Sequence, residues 1–287
     1  MHFHRFDSTA KKVKLGDIPH EPPDDWKKHD AKEKFEEIND ELFQLQDLMW
    51  GAKTHSVLMV LQGRDAAGKD GSVKHVVGAL NPRGVTVTSF GVPTEEERQH
   101  DFLWRIHKKA PRAGEIAIFN RSHYEDVLVV RVRNLAKPAV WRERFEMINS
   151  FENSLTKANT IVLKYFLHIS KDEQKERLLA REKDPSDAWK LNVEDWKDRE
   201  YWDQYTNAYE DVIGKCSAPH APWIVVPANA KWFRNLVIAR SLLDALRPYR
   251  AIWQKRLTEE GKIGRRDLQE WRAAEQAGAT STSTKKR

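Results

Sequence analysis

The chain has 287 residues, of which 40% are hydrophobic and 32% are charged, with a formal net charge of +6 and a pI near 9.2. This length and apolar content predict one large globular domain, or a domain with an appended helical region. No apolar run approaches the roughly 20 residues that span a bilayer, and no apolar block opens the chain, so we expect neither a membrane partner nor a secretory signal. The single cysteine, Cys216, excludes an internal disulfide and favours a cytoplasmic location.

The first part of the chain predicts an arm followed by a helix. Residues 1–28 are polar and interrupted by prolines, so we expect an extended N-terminal arm without a core of its own. From residue 30 to residue 50, apolar side chains recur at helical spacing, which predicts an amphipathic helix that packs on the rest of the domain. These side chains are Phe35, Ile38, Leu42, Leu45 and Met49.

A buried strand that leads into a glycine-spaced loop is the most informative stretch. The apolar run at 57–61 is followed by Gly63-Arg64-Asp65-Ala66-Ala67-Gly68-Lys69-Asp70-Gly71, with the spacing G-x-x-x-x-G-K, and then by a helical pattern. This is the context that a phosphate-binding loop requires. The backbone N–H groups and the helix N-terminus surround an anion, and Lys69 adds a full positive charge. We therefore predict that this loop binds phosphate.

Two carboxylates make the loop unusual. Asp70 stands where a Ser or Thr hydroxyl normally contacts the metal, and Asp65 lies inside the loop. A carboxylate beside bound phosphate repels it unless a cation lies between them, so Asp65 is predicted to bind Mg²⁺. The alternative is that both acids only cap the following helix.

After the loop, strands alternate with helices. Helices are predicted at 73–80, at 95–107 behind a capping box of Thr94 and Glu97, from Pro138 onwards, and at 231–246; strands are predicted at 85–90, 116–119, 160–169 and 223–226. Because each connection is long enough for a crossover, the pattern predicts a three-layer α/β fold, a parallel sheet with helices on both faces. We expect a C-terminal helix from residue 258 and a disordered tail beyond residue 278.

The strand at 116–119 ends in Asn120-Arg121-Ser122-His123-Tyr124-Glu125-Asp126. In phosphate-loop nucleotide enzymes, the strand beside the loop commonly ends in an acid that holds the water shell of the metal. Asn120 takes that position here and carries no charge. Glu125 and Asp126 are therefore predicted to replace the acid as metal ligands. The alternative is that they only complement the dipole of the following helix.

The segment at about 171–200 carries many charges and is predicted to be a lid. Arg177 and Arg181 are four residues apart, so they share one face of a helix. Two guanidinium groups on one face suit a mobile lid that closes over a phosphoryl group during transfer. The alternative is that both arginines pair with nearby glutamates on an exposed helix.

Five motifs, in this order along roughly residues 35–249, resemble those of family 2 polyphosphate kinases. They are the loop at 63–71, Ser89-Phe90-Gly91-Val92-Pro93-Thr94, Phe119-Asn120-Arg121-Ser122-His123-Tyr124-Glu125-Asp126, Ile169-Ser170-Lys171-Asp172-Glu173-Gln174 and Ala188-Trp189-Lys190. Asn120, where most members have Asp, resembles the class III subgroup that phosphorylates both AMP and ADP. The resemblance implies a phosphate-loop kinase domain at 29–257 with a helical lid, Mg²⁺ or Mn²⁺ as cofactor, inorganic polyphosphate and AMP or ADP as substrates, and assembly into dimers or tetramers.

The chemistry of such a transfer assigns roles to the candidate residues. A nucleotide acceptor attacks through a phosphate oxygen that is already ionised near pH 7, so charge neutralisation and in-line placement are the main requirements. We assign Lys69 and Arg121 to the transferred phosphoryl group, and Arg177 and Arg181 to closure from the lid. Mg²⁺ is assigned to Asp65 and Asp126, with Glu125 assisting there or orienting the acceptor.

Binding residues for the two substrates are less specific. A polymeric donor needs a cationic track, for which the charge of Arg64, Lys74, Lys231 and Arg234 makes them candidates, although each is also an ordinary surface residue by type. The acceptor nucleotide is assigned to Gly91, Val92, Pro93, Thr94, Asn120 and Glu125. For residues 91–94, a turn followed by a helix cap is the alternative.

Two other functions fit parts of the sequence. An ATP-dependent nucleoside monophosphate kinase fits the loop, but Asp70 in place of Ser or Thr is evidence against it. A non-catalytic nucleic-acid-binding protein fits the positive charge and the 11 tryptophans. Many aromatic residues, such as Trp141, stand at helical spacing beside apolar residues, which favours core packing over base stacking. We therefore expect no nucleic-acid partner.

Overall fold

The computed structural model describes residues 4–9 and 12–283, with side chains up to residue 275. A mostly parallel sheet lies at its centre, and its strands in chain order are His4–Phe6 (β1), Ser56–Gly63 (β2), Val85–Ser89 (β3), Ile116–Asn120 (β4), Thr160–His168 (β5) and Trp223–Pro227 (β6). Within these ranges the spatial order is β1-β6-β5-β2-β4-β3. Strands β2 to β6 run parallel, whereas β1 pairs antiparallel with β6. The predicted α/β fold is confirmed, and the antiparallel edge strand is an addition to it.

Helices cover both faces of the sheet. In chain order the α-helices of the described residues are Lys28–Ala52 (α1), Lys69–Ser72 (α2), Glu95–Arg98 (α3), Trp104–His107 (α4), Val129–Val132 (α5), Pro138–Lys157 (α6), Lys171–Lys183 (α7), Val193–Lys197 (α8), Trp202–Lys215 (α9), Lys231–Leu246 (α10) and Arg250–Ser283 (α11). The lid predicted at 171–200 comprises α7, a 3₁₀ segment at Pro185–Lys190, α8 and the start of a second 3₁₀ segment.

Alternation along the central strand β2 shows how the sheet separates two cores. Val57, Met59 and Leu61 face a core that α1, α10 and the buried Trp253 of α11 complete. Leu58 and Val60 face the opposite core, which α6 and α9 cover. Every residue of β2 is buried, as expected for a parallel strand with neighbours on both sides and helices on both faces.

Two predicted helices differ in detail from the structure. The helix after the loop starts at Lys69 and continues as a π-helical segment at Val73–Val77. The single helix predicted at 95–107 is two short helices, α3 and α4, although the capping box of Thr94 and Glu97 is present. The break occurs because the side chain of Asp101 accepts a hydrogen bond from the N–H of Leu103 and so starts a new turn.

The N-terminal arm packs on the second core, which the sequence did not predict. Val13, Leu15 and Ile18 are buried there, and the N–H of Leu15 donates to Glu210 of α9. The carbonyl of Leu15 lies 3.1 Å from Nε2 of His168, at the end of β5. Three apolar residues are too few to show a periodicity. Their burial therefore could not be predicted from the local sequence pattern.

The C-terminal region is a long helix. α11 begins at Arg250, eight residues before the predicted start, and continues to Ser283. The disorder predicted beyond residue 278 therefore differs from the structure at 279–283, and residues 284–287 lie outside the described part. Among the described helices, none is both long enough and apolar enough to cross a membrane.

Truncation of Leu15 tests whether the arm belongs to the folded core. The side chain is 2% exposed, so Leu15→Ala should lower the free energy of unfolding by about 2–5 kcal/mol in urea titrations. The neighbouring residue Lys14 is exposed and provides the control. Lys14→Ala should change the free energy of unfolding by less than about 0.5 kcal/mol. Equal effects of the two substitutions would show that the arm contributes nothing to the core.

The buried imidazole of His168 should make stability depend on pH. Burial, with a smaller contribution from His20, lowers the pKa of His168 to about 3. The folded protein therefore keeps the ring neutral, whereas the unfolded chain protonates it near pH 6.5. The contribution of His168 to the free energy of unfolding is thus complete above pH 6.5 and is lost as the pH falls toward 3. We expect the stability difference between the wild type and His168→Gln to shrink from pH 7.5 to pH 5, by up to about 1.4 kcal/mol per unit below pH 6.5. A constant difference would contradict this.

Candidate active site

The phosphate loop connects β2 to α2 and has the backbone geometry of an anion-binding turn. Ala66 and Gly68 have φ angles of 59° and 103°, in the left-handed region. At Gly68, an added Cβ atom would lie 1.7 Å from Nη1 of Arg234. Glycine is therefore required at position 68 both by conformation and by space, as the spacing of the motif predicted.

Lys69 is buried at the start of α2, and its ammonium group turns back over the loop. Its Nζ donates to the carbonyls of Gly63 at 2.7 Å and Arg64 at 3.1 Å. Burial lowers the pKa of Lys69, and the nearby Asp65 partly opposes this shift. The ammonium therefore has carbonyl oxygens as hydrogen-bond partners and is a cation suited to a bound phosphate.

An ion pair joins the loop to the end of β4. Nη2 of Arg121 lies 2.8 Å from Oδ1 of Asp65. Burial opposes the charge of Arg121, but Asp65 and Glu125 outweigh this and raise its pKa. Arg121 also has a φ of 61°, a conformation that is strained for a non-glycine residue and that turns its side chain toward the loop.

A cavity of about 1550 Å³ extends from the phosphate loop between the lid and the N-terminal ends of α1 and α10. Its wall contains Lys69, Arg121 and Arg181, together with the predicted track residues Lys74, Lys231 and Arg234. Further basic residues on the wall are Lys28, Lys32, Arg177 and Lys190. The fold thus brings cations from five separate regions of the sequence together on one surface.

Arg64 is the predicted track residue that this cavity does not include. Its guanidinium group stacks 3.7 Å from the ring centroid of Trp202 and donates to the carbonyl of Trp202 and to Thr206. Burial lowers the pKa of Arg64 to about 10. The side chain of Arg64 turns toward α9 and lines a second, smaller cavity instead of the large one, so its place on the donor track stays a prediction.

A second, smaller cavity of about 50 Å³ lies on the other side of the Asp65 and Arg121 ion pair. Both residues line both cavities, so the pair stands at their boundary. Glu125 also lines the small cavity, and burial raises its pKa while Arg121 opposes the shift. The remaining wall is mixed in character and includes aromatic, acidic and basic side chains, namely Trp202, Tyr205, Tyr209, Asp198 and Arg64.

Oxygen atoms around this boundary fit a hard divalent cation. Asp65 and Glu125 supply carboxylates, and Oδ1 of Asn120 is buried with no hydrogen-bond partner among the described residues. Nδ2 of Asn120 donates to Asp70 at 2.6 Å, which orients the amide. The described residues contain no cluster of three or more His, Cys, Asp or Glu side chains that could hold a metal ion, so only two carboxylates contribute here. This donor set is appropriate for Mg²⁺, which is usually bound by one or two carboxylates together with water and substrate phosphates.

Asp126 is directed away from this boundary, contrary to its predicted role as a metal ligand. Its Oδ1 accepts a hydrogen bond from Nη1 of Arg144 at 2.8 Å, and its carbonyl accepts another from the same atom. Burial raises the pKa of Asp126, and Arg144 opposes the shift. Neither cavity includes Asp126. In the 3₁₀ turn at His123–Asp126, consecutive side chains point in different directions, so only Glu125 reaches the boundary.

The two lid arginines have different surroundings. Arg181 lies 2.9 Å from Asp195 and lines the large cavity together with the other basic residues. Arg177 instead donates to carbonyls of the phosphate loop and of the β6–α10 connection. The expectation that Arg177 closes over the transferred group is therefore not met in this geometry.

Residues 91–94, predicted to contact the acceptor, line neither cavity. The Thr94 side chain caps α3, and the carbonyl of Gly91 accepts a hydrogen bond from Arg105. Val92 is exposed. The segment is a turn followed by a helix cap, which fits the stated alternative, and the acceptor role stays a prediction.

Some site residues were missed by sequence reasoning. Tyr205 and Tyr209 are four residues apart on α9, which is a signal for a shared helix face but not for a cavity. Gln174 donates to the carbonyl of Asp65 at 3.0 Å. Behind β4, a buried network links Lys164, Glu152 and Tyr124. No spacing in the sequence brings these three residues together.

Comparison with known proteins identifies relatives of this chain. A family model described as "Polyphosphate kinase 2 (PPK2)" matches residues 25–252. An AMP/ADP-polyphosphate phosphotransferase of Meiothermus ruber is 49% identical over 219 residues, which is 76% of this chain and 82% of the relative. An ADP-polyphosphate phosphotransferase of Rhodopseudomonas palustris is 38% identical over 235 residues, 76% of this chain and 81% of the relative.

A solved structure shows the same fold. The crystal structure of polyphosphate kinase 2 from Arthrobacter aurescens TC1 superposes with a TM-score of 0.81 and 41% identity, covering 87% of this chain and 92% of that one. The family match extends over most of the chain, and it includes the loop, the end of β4 and the lid. The chain therefore belongs to the polyphosphate kinase 2 family.

Proposed function

We propose that this protein transfers the terminal phosphoryl group of inorganic polyphosphate to AMP and ADP, giving ADP and ATP. The observation that carries the proposal is the continuity of the phosphate loop with a large cavity lined by basic residues. At about 1550 Å³, this cavity exceeds the roughly 300–1000 Å³ of typical small-molecule sites. A long polyanion needs both this space and this charge. The names of the relatives from Meiothermus ruber and Rhodopseudomonas palustris support the same reaction.

The boundary between the two cavities is the proposed place of transfer. The donor chain lies in the large cavity, with its terminal phosphoryl group at Lys69 and Arg121. The acceptor phosphate approaches from the side of Glu125, which lines the small cavity, whereas Asn120 lines the large cavity on the donor side. Because an ionised phosphate oxygen needs no strong base, the residues here have to position the reactants and neutralise charge. Arg181 adds positive charge from the lid.

A divalent cation, Mg²⁺ or Mn²⁺, is the proposed cofactor. Asp65, Glu125 and the free oxygen of Asn120 are the residues that would hold it. When bound, the ion neutralises phosphate charge and reduces repulsion between the phosphates and the two carboxylates. Asp126 is not part of this set because Arg144 holds its carboxylate. Assembly into a homo-oligomer and a cytoplasmic location stay predictions.

Substitution of Lys69 tests the proposed reaction. With AMP, Mg²⁺ and long-chain polyphosphate, the wild type should form ADP and then ATP, whereas ATP as donor should support transfer to AMP poorly. Lys69→Ala should lower kcat by at least about 100-fold, because it removes the cation from the transferred group. Its melting temperature should remain close to that of the wild type. Lys262→Ala, on the exposed part of α11, is the control. Activity of Lys69→Ala near the wild-type value would remove this residue from the mechanism.

Two neighbouring carboxylates should respond differently to neutralisation. Glu125→Gln should raise the Mg²⁺ concentration for half-maximal activity about tenfold, since it removes a proposed ligand. Asp126→Asn should leave that concentration unchanged and lower the free energy of unfolding by about 1–3 kcal/mol, because Arg144 loses its ionic partner. Metal titrations and urea denaturation of both variants measure these quantities. The reverse pattern would assign the metal to Asp126.

A further inference from the structure

Arg177, at the root of the lid, uses all of its hydrogen-bond donors on the protein itself. Nε donates to Glu173 at 2.7 Å, and Nη1 donates to the carbonyls of Ala66 at 3.0 Å and Ala67 at 3.1 Å. Nη2 donates to the carbonyls of Ala228 at 2.7 Å and Asn229 at 2.6 Å. A guanidinium group has five N–H donors, so none is left for a phosphate.

A second buried guanidinium group reaches the same point of the loop. Nη1 of Arg234, on α10, lies 3.3 Å from the carbonyl oxygen of Ala67. Its Nε and Nη2 both donate to the side chain of Asn235. Arg234 is 2% exposed and, among the described residues, has no carboxylate within ion-pair distance. One loop carbonyl thus lies between two cations from different helices.

The orientation of this carbonyl fixes the orientation of an amide. In a trans peptide, the C=O of one residue and the N–H of the next point in opposite directions. With the carbonyl of Ala67 directed at Arg177 and Arg234, the N–H of Gly68 points away from both. Gly68 and Lys69 line the large cavity at this place. An inward-pointing amide is what a phosphate loop needs to bind an anion.

We infer that Arg177 and Arg234 are positioning residues that hold the Ala67–Gly68 peptide of the phosphate loop in its anion-binding orientation, and that neither has to contact the transferred phosphoryl group. The inference rests on the proposed function for its consequence in catalysis. Arginine suits the task at position 177 because its rigid planar fork reaches four carbonyls at once, which the single ammonium of lysine cannot do.

The charge of this pair also has a consequence for the free protein. Two guanidinium groups share one carbonyl, and burial together with Arg177 lowers the pKa of Arg234 to about 10. An anion bound by the Gly68 N–H would offset this repulsion across the width of one peptide group, because its charge is opposite to that of both cations. Binding of tripolyphosphate should therefore protect the loop strongly.

Hydrogen–deuterium exchange of the loop peptide at 63–72 tests the inference in ligand-free protein. Arg177→Lys keeps the charge but loses most of the carbonyl contacts, so exchange should be about tenfold faster than in the wild type. The KM for tripolyphosphate should rise about tenfold with a smaller change in kcat, since the loop amides bind the donor before and during transfer. Arg234→Lys should change both quantities in the same direction.

Two further variants complete the test. Arg240→Lys, on the same helix as Arg234 but paired with Asp244 at the surface, should leave exchange and kinetics unchanged. Glu173→Gln keeps Arg177 in place and weakens only its Nε contact, so a smaller increase in exchange is expected. This variant keeps the inference testable if Arg177→Lys does not fold.

The outcomes separate the inference from the proposed function. If ligand-free exchange in Arg177→Lys and Glu173→Gln equals that of the wild type while kcat falls in Arg177→Lys, Arg177 acts on the phosphoryl group directly and the inference is overturned. If the wild type transfers nothing from polyphosphate, the proposed function fails. The exchange measurements, and the protection that tripolyphosphate gives to the loop, would still decide the role of the two arginines.

Discussion

The structure depends on a concentration of positive charge around one loop, with carbonyl oxygens as its main partners. Lys69 binds the carbonyls of Gly63 and Arg64, and Arg177 and Arg234 bind the carbonyl of Ala67. Carbonyl dipoles satisfy the hydrogen bonds of these cations but do not cancel their charge. Arg177 also pairs with Glu173, whereas Lys69 and Arg234 have no carboxylate within ion-pair distance among the described residues, so positive charge beside the loop amides stays uncompensated. Asp65 is the carboxylate within the loop, and Arg121 already pairs with it.

A buried polar network gives the end of β4 its shape. Lys164 of β5 donates to Glu152 of α6 and to Tyr124, whose hydroxyl group also donates to Glu152. A buried ion pair of this kind is costly unless every partner is satisfied, so it tolerates few alternative arrangements. It fixes the turn that carries Glu125 and Asp126. As a result, Glu125 lines the small cavity, whereas Asp126 forms an ion pair with Arg144.

The local part of this site could be predicted from the sequence, and the nonlocal part could not. The strand, glycine loop and Lys69 lie within about fifteen residues, and their spacing alone specifies the geometry. Arg177 shares a helix face with Arg181 and pairs locally with Glu173, but its four other contacts are to carbonyls more than 50 residues away. Arg64 was assigned by charge alone, and its stacking on Trp202 depends on how α9 packs. Backbone carbonyls leave no signature in a sequence, which is why a positioning arginine is read as a catalytic one.

Attachment of Arg177 to the loop also limits how the lid can move. The N-terminal end of α7 is held by Ser170, whose N–H donates to Asn229, and by the contacts of Arg177 about two turns later. Beyond α7, the segment that continues into α8 is more exposed, with Trp189 78% and Val193 68% accessible. A closing motion that leaves the loop intact must therefore bend after Arg177. Arg181 and Trp189 lie on the moving side of such a bend, and both face the large cavity. In the proposed function, the anchored half of α7 would preserve the phosphate loop while the distal half of the predicted lid would change access to it.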